Sequence, residues 1–146
     1  MLRSILAAVA GYVVLVAVVM TGIGIAWLTL GGAGAFSGEG PAPSAAWLVG
    51  NLLSGFAAAL AAGWAALKIG KSALAVKILA GIVLAFGLYG ILAAESSYAD
   101  REPVDKPVAE MSFMEAGQHA KQPGWYNLII PLVGVGGVLL GGRQRE

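Results

Sequence analysis

The chain contains no cysteine, one histidine and little charge: Asp, Glu, Lys and Arg together make up 12% of its 146 residues. Without cysteine there are no disulfides, thiolate metal sites or dithiol redox pairs, and a quinone-linked thiol oxidase is excluded. The lone His119 cannot supply the paired ligands of a four-helix haem protein. With Glu115 four residues before it, it still falls short of the three or four ligands of a stable zinc site. Neither a cofactor nor a metal is therefore expected. No basic-aromatic tract points to nucleic acid.

What the chain does have is apolar surface. Hydrophobic residues reach 58% and the mean hydropathy is +0.81, whereas soluble domains run near 45–50% apolar and about 25% charged. A chain of this length forms one domain and could not hide so much apolar surface from water, so part of its solvent must be lipid.

Four apolar runs are apparent, at 2–30, 45–67, 73–94 and 125–142. About 20 residues of helix cross about 30 Å of hydrocarbon; the first three runs meet that length and the fourth is at its short end. Strand-like alternation is missing, which speaks against a barrel. The expected fold is all-α, a single-domain four-helix membrane bundle with a long outer loop, 95–124, before the last span.

Punctuation between the runs fits this division. Gly31-Gly32 ends the first, and Gly38, Gly40, Pro41 and Pro43 predict an irregular loop. Ser44 stands as an N-cap, and Gly70 and Ser72 mark a tight turn that makes the second and third spans an antiparallel hairpin. In the long loop, Met111–Gln122 is predicted as a short helix closed by Pro123, with Met111 and Met114 on one membrane-facing side. Arg3, the apolar run and Ala33-Gly34-Ala35 imitate a cleaved signal, but the run far exceeds the 7–15 residues of such a segment, so it is expected to remain as a span.

Charge gives the orientation. Arg3, Lys68, Lys71, Lys77, Arg143 and Arg145 stand with one acid, Glu146, at the two termini and the second connection. Arg101, Lys106 and Lys121 stand with seven acids on the first and third connections. Lys and Arg are retained on the cytoplasmic side, which predicts a bacterial cytoplasmic (inner) membrane protein with both termini inside.

Within the spans Lys77 is the only ionisable side chain apart from tyrosines, about one turn inside the third, where its stem reaches the headgroups. The carboxylate that a small multidrug exporter requires is absent. The scattered polar residues Thr21, Asn51 and Ser54 read as interhelical hydrogen-bonding groups before they read as a polar pathway.

Small residues are the strongest positive pattern. Gly134, Gly137 and Gly141 lie along one face of the fourth span, Ser4, Ala8 and Gly11 along the first, and Gly50, Ser54, Ala58 and Ala61 along the second. Small residues let helix backbones approach in lipid. This predicts a helix-packing interface through Gly134, Gly137, Gly141, Gly11 and Ser54, within the chain or with another protein. Trp47, Trp125 and Tyr126 stand at matching depth as anchors of an outer aromatic belt. The function expected from these features is non-enzymatic: a scaffold or accessory subunit whose partners are the lipid bilayer and other membrane helices, of its own kind or not. An oligomeric channel or transporter, and an enzyme acting through the outer loop, are the alternatives.

Overall fold

A computed structural model describes residues 1–143. Five α-helices follow one another: α1 (Leu2–Ala35), α2 (Ala45–Gly70), α3 (Ala73–Ala99), the short α4 (Phe113–His119) and α5 (Gly124–Gly141). Among the described residues there is no strand. α1, α2, the 73–94 part of α3, and α5 are each long and apolar enough to cross a membrane.

The elements end where local chemistry ends them. Within α1 the backbone leaves helical geometry at Gly31, whose φ of 60° suits a residue without a β-carbon. The Ser44 hydroxyl accepts from the Trp47 amide and donates to the Gly34 carbonyl, capping α2 and tying it to the end of α1. Ser72 caps α3 through the Leu74 amide, and Lys71 turns the corner in the left-handed region. Helices outrun apolar spans here: α2 continues to Gly70 and α3 to Ala99, because caps end a helix whereas hydropathy ends a span. The connection 36–44 is more regular than its glycines and prolines imply. An isolated bridge joins Phe36 to Pro43, and Ser37 donates to the Ala42 carbonyl.

α1 packs along α2, α5 packs against α2 and α3, and α1 also meets α3. The end carrying the Gly70–Ser72 turn is called here the hairpin end, and the end carrying residues 100–123 the capped end. Arg3, Lys68, Lys71, Lys77 and Arg143 belong to the hairpin end, where Arg3 Nε donates to the Ile69 carbonyl at 3.1 Å. Arg145 and Glu146, which enter the charge count, lie outside the described residues.

Burial is inverted relative to a water-soluble bundle. The tightest core, toward the hairpin end, is built from Ala8, Ala59, Ala62 and Ala66 around Leu79 and Val138. Large apolar side chains face outward, Leu28 at 85% and Leu92 at 81% exposure. In lipid an apolar surface gains nothing by turning inward, so helices associate where small residues permit close backbone contact.

Candidate functional site: a cavity in the capped half

The same rule that closes the hairpin end opens the other. Near the hairpin end a β-carbon at Gly11 would come within 3.0 Å of the Ala62 carbonyl, and one at Gly63 or Gly141 would overlap backbone of the facing helix. Toward the capped end the facing positions carry Tyr12, Trp27, Trp47, Phe86 and Tyr126, whose bulk holds the helices apart. Pro131 adds to this on α5: without an amide hydrogen it leaves the Asn127 carbonyl without its helical donor.

The result is a cavity of about 600 Å³ bordered by all four long helices and by the cap. Its wall on α1 is one stripe, Tyr12, Leu15, Val19, Ile23 and Trp27. Tyr12 and Phe86 stack at 5.5 Å between centroids. At the opposite end Trp27 meets Trp47 edge-on at 6.1 Å and Phe113 at 5.7 Å, giving the cavity an aromatic roof. Polar groups are few and face particular places. Asn51 borders the cavity from α2, and its Oδ1 is buried with no hydrogen-bond partner. Such an atom costs about 1–3 kcal/mol unless something supplies a hydrogen. Tyr98, Arg101 and Gln122 form the polar rim on the α3 side.

The cap is held by specific bonds. Arg101 donates through Nη1 to the carbonyls of Gly117, Gln118 and Ala120, at 3.2, 3.4 and 2.8 Å, stitching the end of α4 to α3. The Glu39 carboxylate accepts from the Val108 amide at 2.9 Å, and the Lys121 amide donates to the Pro41 carbonyl at 2.8 Å. α4 starts in a capping box between Ser112 and Glu115. Lys106 also donates to Glu115 at 2.8 Å. These bonds pull the Glu115 carboxyl down to about 2, the Lys106 ammonium contributing most, while Glu115 raises Lys106 in turn.

The residues singled out in the sequence take definite places. Gly137 and Gly141 face α2, at Ala59 and Leu60, and Gly134 faces Val83 of α3. Gly11 faces Ala62 and Leu79, and Ser54 packs on Gly22 of α1. The five therefore lie between helices of one chain. Trp125 is 56% exposed, but Trp47 is half-buried under the cap, and Tyr126 differs from a surface anchor altogether. It is 2% exposed and its hydroxyl donates to the Leu48 carbonyl, because the first turn of α5 rotates that side chain toward α2. Met111 and Met114 do not share a face: Met111 precedes α4 and is buried with Phe36 and Val108, while Met114 is exposed. The short helix spans seven residues and ends before Pro123, which instead flanks α5. Thr21 donates to Ala17 of its own helix and joins nothing across the bundle.

Among the described residues no three His, Asp or Glu side chains stand together; the His119 ring meets Phe36 and places Nε2 3.2 Å from the Glu39 carbonyl. Sequence reasoning missed Arg101, Tyr98, Gln122 and Trp27. Arg101 counted there only as one charge among ten on the first and third connections, and the turn that brings it back over Tyr98 leaves no motif. Compared with protein-family models, with curated proteins and with solved structures, the chain matches none.

Proposed function

We propose that this chain is a non-enzymatic integral membrane protein, of the accessory-subunit kind, that holds one amphipathic molecule in the capped half of its bundle. A single observation carries this: a cavity of about 600 Å³, apolar along its length, with an unpartnered Asn51 acceptor on its wall. Ligand sites lie between the helices of bundles and occupy about 300–1,000 Å³, with a few polar groups fixing orientation. Scaffolding through the fourth-span glycines has less behind it, since α2 and α3 already fill them. An oligomeric channel has less behind it, since, Arg3 at the very start aside, Lys77 is the only charged side chain within the spans and Leu79 and Val138 pack fully buried in the bundle's core. The charge split along the bundle supports a cytoplasmic membrane location with the cap outside.

The test uses the tryptophans. Trp27 and Trp47 border the cavity while Trp64 and Trp125 are exposed, so Trp64→Phe/Trp125→Phe leaves two cavity reporters. A neutral brominated fatty alcohol in maltoside micelles should quench them saturably. Gly55 borders the cavity with open space beside it, so Gly55→Leu should fill the site and abolish saturation. Quenching that rises linearly, indifferent to Gly55→Leu, would show that nothing is held there.

A further inference from the structure

A second hollow, of about 400 Å³, lies between α3 and α5. Gly90 and Ala94 border it on α3, and Asn127 on α5, where Pro131 has freed the backbone carbonyl. It shares Phe86, Gly87, Tyr98, Arg101, Gln122, Ile130 and Pro131 with the main cavity, so the partition between the two is built from these residues, with Pro131 closing directly on Gly87.

Two cations converge at that partition. The Arg101 guanidinium lies 4.6 Å from the centre of the Tyr98 ring and the Lys121 ammonium 5.9 Å from it. Among the described side chains neither forms an ion pair; the ion pair present is Lys106–Glu115. Asp100 and Glu102, beside Arg101 in the chain, are exposed. The Nε edge of Arg101 donates to none of the described atoms, its Nη atoms being spent on α4 carbonyls and Ser97. Two like charges over one ring favour an anion between them. Below them the surface is mostly apolar, with Phe86, Ile91, Ala94 and Ile130 outweighing Ser97 and Asn127.

Building on the cavity reading, we infer that the ligand is an anionic membrane phospholipid taken sideways from the bilayer. Its phosphate sits against Arg101 and Lys121, and one acyl chain passes between α3 and α5 beside Gly90 toward the cavity. Charge complementarity selects it over a zwitterionic lipid, whose own ammonium would meet the same two cations. Gly90 borders open space, a β-carbon there meeting nothing within 4 Å, so a large side chain at this position would project into the entrance.

The Trp64→Phe/Trp125→Phe chain in maltoside micelles separates this inference from the reading beneath it. Phosphatidylglycerol with brominated chains should reach half-quenching of Trp27 and Trp47 at a mole fraction at least about threefold below brominated phosphatidylcholine. Lys121→Gln, whose backbone bond to Pro41 survives, should bring that ratio to near one while leaving quenching by the neutral alcohol unchanged. Gly90→Leu should raise the half-point for phosphatidylglycerol. Native mass spectrometry of the unaltered chain supplies a second readout, with one phosphatidylglycerol retained in preference to phosphatidylcholine. Equal quenching by the two lipids, or a preference that survives Lys121→Gln, overturns the anionic class. If the alcohol still saturates, the cavity reading stands alone. If no brominated molecule quenches saturably, both fall.

Discussion

Gly63 on α2 lies directly against the backbone of Val138 on α5, so close that a β-carbon would overlap the Val138 carbonyl oxygen. One turn away the relation is reversed: Gly141 of α5 meets the carbonyl of Leu60 on α2. Each helix thus supplies the glycine where the other supplies the backbone. This mutual contact draws the bundle shut at the hairpin end, and the aromatic positions beyond it leave the cavity.

Substitution along α5 should therefore depend on what each glycine faces. Gly137→Ile must displace Ala59, whose Cβ would lie 2.6 Å from the new β-carbon, and Gly141→Ala must displace backbone. Overpacking of this kind costs roughly 1–3 kcal/mol. Gly136 faces open space, so Gly136→Ala should be neutral or gain up to about 1 kcal/mol from helix propensity. Leu139→Ile, at an exposed position, should be nearly silent. Thermal unfolding in detergent ranks the four; equal midpoints for Gly137→Ile and Gly136→Ala would mean that the glycines reflect composition and not contact.

Much of this was legible in the sequence, and what was not has a common cause. The four long helices and the caps at Ser44 and Ser72 follow from hydropathy and from backbone groups that need partners, both local properties. Which face turns inward is not local. In water, polarity marks the outside of a helix, but in lipid both faces are apolar, and only side-chain size distinguishes Ala62, fully buried, from Leu92, at 81% exposure. Tyr126 looked like an interface anchor because aromatics at that depth serve either purpose. Its buried bond to Leu48 depends on where α2 lies. Arg101 and Tyr98 were invisible as a pair with Lys121 because the cap must fold back about twenty residues before they meet. Met111 falls outside the helical period because it and Ser112 are extended, between a 3-10 turn at Val108–Glu110 and the start of α4.

The charge split predicts a topology that reporter fusions can check. A reporter after Gly38 or Lys106 should lie outside, and one after Gly70 or Glu146 in the cytoplasm. Since the cap and the 36–44 connection are bonded through Glu39 and Pro41, the first two sites must report the same side. A cytoplasmic signal at Lys106 would contradict the orientation drawn from Lys and Arg.

Acid should loosen the cap through one residue. The Glu115 carboxylate accepts from Lys106 through Oε1 and from the Ser112 amide through Oε2, both at 2.8 Å. These bonds lower its carboxyl from an ordinary 4.5 to about 2. The proton is thus bound less readily in the folded cap than in an unfolded one. The stabilisation is complete above about 4.5 and is lost as pH falls through about 2. Lys106 acts in the opposite sense: its raised value gives stability below 10.5 that disappears as pH climbs past the folded value. Lys106 is exposed and Glu115 partly so, and salt should therefore weaken the pair. Amide exchange over Phe113–His119 should accelerate between about pH 4.5 and 2 at low ionic strength, with α2 unaffected. Glu115→Gln keeps an acceptor for Ser112 and loses the charge, so its exchange should start faster and stay level, once intrinsic acid dependence is divided out. An acid response of undiminished size in Glu115→Gln would place the sensitive group elsewhere.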